Sequence, residues 1–377
     1  YLDSAATTYV DEEVKEDYFN ILNNYYASTG SLHEPGVKTL QMESEAKMKI
    51  ASLLKVKPSE IFFDSGATEG NNYAIKGVAF NYKNRGNTII TSKVEHPSVL
   101  ETCKQLEKDF NFNVIYLDVD ENGQIDLEKF KKVLSNDVIL VSIMYVNHEV
   151  GTIMPIKEIR NIINKYPKII FHSDITQAIG KVKVDMSLLD LATMSGHKIH
   201  AIKGSGFIYK KEKVTLFPII NGHPANNALR AGTANFPANI VLAKALAKSL
   251  TNLNDNFLKW KECQKKLINR LQAIEGIVVN TNPEFCIPGI VNFSCLDYNV
   301  EVLIRTLSTK GIYVSSRSVC SVAIKDHTSA TLKAMGKSEK ICVSSIRVSY
   351  DNVLDDNQIN YFIDSLIATL KNTKKVG

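Results

Sequence analysis

Residues 191–203 read LATMSGHKIHAIK. An apolar run, Leu189–Met194, halts at Ser195-Gly196, and His197 and Lys198 follow at once. A short apolar run closed by a turn signal is how a buried strand reads in sequence. A lysine at the end of such a strand is expensive unless its charge is neutralised or its amine is used chemically. Burial and cationic neighbours favour the neutral amine, which is the form that condenses with an aldehyde. Taken alone, Lys198 reads as a solvated loop residue. Asp174 changes that reading, because it ends another apolar run, Ile169–Asp174 (IIFHSD), 24 residues upstream. Pyridoxal phosphate needs such a pair: a lysine for the Schiff base and a carboxylate that keeps the pyridine nitrogen protonated.

Strand-like and helix-period segments alternate through the rest of the first half. Lys38–Leu54 reads as an amphipathic helix and Glu60–Asp64 (EIFFD) as a short strand. The series continues with helix Gly66–Tyr82, strand Thr88–Ser92, helix Pro97–Phe110, strand Val114–Leu117, helix Leu127–Leu134, strand Val138–Val146 and helix Ile156–Tyr166. Apolar strands separated by helices imply an α/β protein with a largely parallel sheet covered on both faces. Phe207–Tyr209 is expected to add an edge strand returning from the Lys198 loop. After Pro237 a long helical stretch over 238–274, kinked near Asn252–Asp255, is expected, then mixed elements and a terminal helix at about Asp355–Lys371. The expected division is a large domain, 12–247, and a smaller α+β domain made of 1–11 and 248–377. Ligands of open α/β sheets sit beyond the carboxyl ends of the strands. Ser65-Gly66, His96, Asn147-His148, Asp174 and Lys198 all fall there.

With 377 residues, 44% of them hydrophobic and 23% charged, the chain has an ordinary globular composition and room for two domains. A net charge of +5, with the basic residues dispersed, argues against a nucleic-acid surface. Six cysteines with no CxxC pair argue against a zinc module or a disulfide scaffold, and no metal is expected. No apolar run approaches the roughly 20 residues of a membrane helix. No charged-then-apolar leader is visible, so the expected compartment is the cytoplasm.

Four further stretches carry chemistry. Ser65-Gly66-Ala67-Thr68-Glu69 joins a strand to a helix start, where free N–H groups attract a phosphate; a plain helix cap is the alternative. His96, before Pro97, could stack on a planar cofactor or move a proton, or be a satisfied structural histidine. Arg347 in Ser345–Ser349 (SIRVS) could clamp a carboxylate, or form a surface ion pair. Cys320 lies in a hydroxyl-rich polar loop, SSRSVCS over 315–321, as exposed reactive thiols do, and Arg317 could favour its thiolate. The other five cysteines read as structural.

With these residues in hand, the chain resembles the NifS/IscS-type cysteine desulfurases of the fold-type-I pyridoxal-phosphate superfamily. The resemblance runs from Tyr1-Leu2-Asp3 to Ser345–Ser349. It includes SLHEPG at 31–36, SGATEGNNYAIKG at 65–77, EHPSVLETC at 95–103, NHEVGTIMPI at 147–156, HSDITQAIGK at 172–181, SGHK at 195–198, RAGT at 230–233 and SSRSVCS at 315–321. It implies a mainly parallel seven-stranded sheet in the large domain and pyridoxal 5'-phosphate as cofactor. Lys198 would bond the cofactor's aldehyde and move the Cα proton. Asp174 would pair with the ring nitrogen, Gln177 would reach the ring's phenolic oxygen, and His96 would stack on the ring. Ala67, Thr68, Ser195 and His197 would hold the phosphate, and Thr233 would reach the phosphate of a second subunit in a homodimer. Asn147, His148 and Arg347 would bind the substrate, L-cysteine. Cys320 would take its sulfur as a persulfide and hand it to an acceptor protein, for iron–sulfur clusters, thiolated tRNA or cofactors.

The chain departs from the family at three places. His148 stands where the family carries a second asparagine. Gly222–Asn227 replaces a glycine-rich stretch ending in Gln-Glu, and Arg317 and Val319 replace a glycine and an alanine in the cysteine loop. Arginine restricts the backbone more than glycine, so a stiffer loop is expected. These departures leave two alternatives, a related lyase acting on selenocysteine or cystine and a non-catalytic paralogue.

Overall fold

The structure is a computed structural model that describes residues 1–222, 229–251, 253–316 and 328–375. Cys320, Arg317, Val319 and residues 223–227 lie outside the described residues.

The chain begins with an extended segment and two helices, α1 (Glu12–Asn24) and α2 (Glu34–Leu54). Then follow β1 (Ile61–Asp64), α3 (Ala67–Tyr82), β2 (Thr88–Ser92), α4 (Pro97–Phe110), β3 (Asn113–Leu117), α5 (Leu127–Val133), β4 (Val138–Ser142), α6 (Ile156–Ile163), β5 (Ile170–Asp174), β6 (Leu191–Ser195) and β7 (Gly206–Lys210). The second part holds α7 (Phe236–Leu250), α8 (Leu253–Gln272), β8 (Ile277–Val279), β9 (Ile290–Cys295), α9 (Val300–Thr309), α10 (Ala330–Ala334), α11 (Glu339–Val343), β10 (Ser345–Ser349) and α12 (Asp356–Asn372). The long helical stretch is thus two helices, α7 ending at Leu250 and α8 starting at Leu253.

β1–β7 form one sheet in the order β1-β7-β6-β5-β4-β2-β3. From β3 across to β6 every neighbouring pair is parallel, and β7 runs against both β6 and β1. Every residue of β2, β4, β5 and β6 is buried, which is why these strands read as unbroken apolar runs rather than alternating ones. Phe207–Tyr209 does not form an edge: β7 is an inner strand, because β1 adds outside it with Ile61 opposite Tyr209. That pairing joins residues far apart in the chain, and local apolar patterning carries no record of it.

A three-stranded antiparallel sheet, β10-β9-β8, packs with α8, α9 and α12 around Phe293, Leu307, Ile346 and Leu366. The start of the chain reaches it too: Leu2 lies in that core and the Ser4 N–H donates to the Ser349 carbonyl at 3.1 Å. Ala5 belongs to the core beneath the large sheet, so residues 2–5 bridge the two.

Gly206 is the tightest join between strands and the site. It is paired with Asp64 on β1 and Ser195 on β6, and a Cβ on it would lie 2.4 Å from the Met194 carbonyl oxygen and 2.6 Å from Gly66 Cα. Neither of those backbone atoms can yield cheaply. Gly206→Ala should therefore cost about 1–3 kcal/mol, seen as a lowered denaturation midpoint; an unchanged midpoint would show that β7 can shift freely.

Candidate active site

β1 ends at Asp64 and β6 at Ser195, side by side through Gly206, which sets the start of α3 over the end of β6. The N-cap residue is Gly66, with φ +129° and no side chain to satisfy the first turn. Only glycine takes that backbone angle readily, and a Cβ there would sit 3.0 Å from Ser195 Oγ. Ser195 Oγ accepts from the Ala67 N–H at 2.7 Å. Gly66, Thr68, Ser195, His197, Thr7 and Lys203 line a cleft of about 340 Å³ at this helix end. Amides, the hydroxyls of Thr7, Thr68 and Ser195, the positive end of the helix dipole and a lysine make it a seat for an anion. His197 shares a hydrogen bond with Thr7 Oγ1 through its Nδ1 at 3.1 Å. Burial first, then the Lys198 charge, pulls its pKa to about 4, so it serves as a neutral hydrogen-bonding group.

The buried carboxylate of Asp174 closes β5. One oxygen accepts from Asn71 Nδ2 at 2.8 Å and the other from the Thr176 N–H at 3.0 Å. Asn71 uses its remaining amide hydrogen on Ser98 Oγ at 2.8 Å and takes the Thr193 hydroxyl on its Oδ1. Thr193 in turn is bonded by His172 Nε2 at 3.2 Å, and His172 Nδ1 by Ser142 Oγ at 2.8 Å. Burial holds His172 at about 4, so it is neutral. His96 caps α4, with Nδ1 on Ser98 Oγ at 2.8 Å. Its pKa is lowered by burial, opposed by Asp174 and helped by Lys198, and these couplings place it among the same groups.

Lys198 Nζ donates to the Ala5 and Ala6 carbonyls, both at 2.6 Å, and Gln177 Nε2 donates to the same Ala5 carbonyl at 2.8 Å. Arg347 is 1% exposed; it donates to Asp3 Oδ1 and to the His148 carbonyl, each at 2.8 Å. Its ion pair is thus buried rather than at the surface. The His148 ring stands edge-on to His96 at 5.6 Å, and burial, with the charges around it, holds His148 well below the usual histidine range. Among the described residues Arg347 Nε, His148 Nδ1 and Thr176 Oγ1 are buried with no hydrogen-bond partner. Buried polar groups are rarely left so, and three around one site fit a polar ligand.

The structure therefore gathers Ala67, Thr68, Ser195 and His197 at the anion seat, and His96, Asp174, Gln177, Lys198, His148 and Arg347 beside it. Asn147 is turned away: its Nδ2 donates to the Val94 carbonyl and its Oδ1 accepts from the Glu149 and Val150 amides. Thr233 is exposed and lines a separate cavity of about 280 Å³ with Lys47, Asp64 and Arg230. Sequence reasoning missed Asn71, although it follows Ala67 by one helical turn on the same face. It missed residues 3–8 as well, whose partners lie some 190 to 340 residues away.

The family model "Aminotransferase class-V" matches residues 1–362. The chain is 36% identical over 353 residues to "Putative cysteine desulfurase IscS 1" of Bacillus subtilis (strain 168), covering 93% of each. Among solved structures it is similar to "NIFS-LIKE PROTEIN", with TM-score 0.92 and 34% identity over 98% of this chain and 99% of that one. It also matches "SspA in complex with cysteine", with TM-score 0.80 and 30% identity over 93% of this chain and 98% of that one. A match of that extent, over a fold built as described, shows that the chain belongs to the class-V aminotransferase family.

Proposed function

We propose that this chain is a pyridoxal-phosphate-dependent cysteine desulfurase that converts L-cysteine to L-alanine and keeps the sulfur as a persulfide on Cys320. One observation supports the reading: the Lys198 amine, the Asp174 carboxylate and the open helix end at Gly66–Thr68 follow the ends of β6, β5 and β1 in one sheet, and His96 feels the charges of both Asp174 and Lys198. Bound there, pyridoxal phosphate supplies an aldehyde and an electron-withdrawing pyridine. Ala67, Thr68, Ser195 and His197 would hold its phosphate, Asp174 would pair with its ring nitrogen, His96 would cover the ring and Gln177 would donate to the phenolic oxygen. Lys198 would be the amine that meets the cofactor's aldehyde and would carry the Cα proton. The unpaired Nε of Arg347 and Nδ1 of His148 are the groups that meet the substrate's carboxylate side. Asn147 supports them by fixing the turn that carries His148.

The described cysteines favour Cys320 by elimination. Cys103, Cys263, Cys286, Cys295 and Cys342 are all buried, and burial pushes Cys103 and Cys295 to about 12 and Cys286 to about 11. A thiolate is the nucleophile, so these thiols are poor ones. The Cys320 thiolate attacks the substrate sulfur; the S–S bond forms as the C–S bond breaks, the electron pair goes to carbon, and a proton completes alanine. The persulfide then passes to an acceptor thiol serving cluster assembly, tRNA thiolation or cofactor synthesis. Leu32 and Tyr26, 96% and 88% exposed, favour a homodimer through the α1–α2 region, with Thr233 facing the second copy. No helix among the described residues is long and apolar enough to cross a membrane, and we place the enzyme in the cytoplasm.

Incubated with L-cysteine and a reductant, the protein should yield alanine and sulfide in equal amounts, and Cys320→Ser should lower both by about 100-fold or more. Full turnover by the serine variant, or pyruvate and ammonia in place of alanine, would instead indicate a lyase. Because His197 acts as a neutral donor, His197→Gln should hold pyridoxal phosphate within about threefold of the parent, while His197→Ala should lose about tenfold, the worth of one hydrogen bond. Equal losses in both variants, measured by equilibrium dialysis, would contradict that role.

A further inference from the structure

Lys181 follows Gln177 by one turn and is 8% exposed. Among the described residues its ammonium hydrogen-bonds to an amide rather than a carboxylate: Nζ donates to Gln177 Oε1 at 2.6 Å. Gly180 fixes the turn that aims it, with φ +76° and a virtual Cβ only 2.9 Å from Ser249 Cβ. Lys181 and Lys198 line one cavity of about 220 Å³ together with Tyr9, His200, Asp351 and Trp260. Burial pulls Lys181 down to about 8; Arg347 adds to the fall and Asp351 opposes it.

A buried ammonium is a costly way to satisfy one amide oxygen, and a neutral side chain would fill the space more cheaply. What an ammonium adds is that it can only donate. A glutamine amide has an accepting and a donating end, and its neighbours decide which way it points. With Lys181 beside it, Gln177 must turn Oε1 toward the ammonium and Nε2 toward Ala5. One Nε2 hydrogen goes to the Ala5 carbonyl, which also receives Lys198. The second has no acceptor among the described residues.

We propose that Lys181 is a positioning residue that locks the Gln177 amide with its donor toward the bound ring oxygen. The inference rests on the assignment of Lys198 and Gln177 above. Without Lys181 only the bond to the Ala5 carbonyl holds the amide, which turns more readily to present its oxygen instead. An oxygen turned toward the ring oxygen repels negative charge there and makes the proton near the Lys198 nitrogen harder to remove.

The test is the pH titration of the visible absorbance of the protein loaded with pyridoxal phosphate. Lys181→Met should raise the midpoint by about half a pH unit or more, whereas Lys181→Arg, still a pure donor, should stay within about 0.2 of the parent. Placed on Gln177→Leu, Lys181→Met should add clearly less than it does alone, because the amide it acts through is gone. If the methionine variant does not fold, Lys181→Gln, which can present either end to the amide, carries the same expectation. A midpoint unmoved by Lys181→Met, or a shift undiminished in the Gln177→Leu background, overturns the proposal. A parent protein with no visible band at all would contradict the cofactor assignment itself, a result distinct from a normal parent band with an unmoved variant.

Discussion

Asp174 sits at the end of a strand buried along its length, where a carboxylate without donors would be untenable. The fold provides them from two sides, Asn71 on α3 and the Thr176 amide in the turn after β5. Each donor is itself fixed. Asn71 is committed at all three of its hydrogen-bonding positions described above, and the chain through Thr193 and His172 runs back to Ser142 on β4. Such a network leaves Asn71 one amide orientation and Asp174 one rotamer. The same helix that carries Asn71 opens its first turn at Gly66, so α3 ties the anion seat to the carboxylate, alongside the β5–β6 pairing that sets Asp174 beside the strand of Ser195. The parallel strands set where the amine stands relative to both.

The extended start of the chain completes the arrangement. Asp3 pairs with Arg347, Ala5 and Ala6 receive Lys198, and Thr7 and Thr8 bind the ring and carbonyl of His197. Residues 3–8 thus meet groups from β10, from the turn after β6 and from the large-sheet core. The small sheet and the large one are held in register at the site by a strand of chain rather than by a broad apolar face alone. Loss of those contacts would free both the amine and the guanidinium.

Much of this was readable from the residues. Thr88–Ser92 and Pro97–Phe110 fall where the pattern places them, because a closed apolar run and a proline at the first helical position are local signals. Asp174 and Lys198 were legible for the same reason: polar residues ending apolar strands stand out. Strand order was not legible, so β7 lies inside the sheet rather than at its edge. β4 ends at Ser142 although the Ile143 and Tyr145 amides still donate to the His172 and Asp174 carbonyls of β5, because on the other side the Met144 amide goes to the Glu95 side chain. Asn147 looked like a substrate ligand, but its amide is committed to the backbone of its own turn and to Val94. Arg347 reads as a carboxylate clamp, yet its partner Asp3 is 344 residues away, a distance no local pattern spans.

The claim beneath the whole account is that the Lys198 amine, and no other, faces the aldehyde held between Asp174 and the open end of α3. Reducing the pyridoxal-phosphate-loaded protein with borohydride makes that attachment permanent, and peptide mass spectrometry then reads its position. The account predicts one phosphopyridoxyl group per chain, on Lys198. Modification of Lys181 or Lys203 in its place, or an unmodified Lys198 in a protein that binds the cofactor, would contradict it.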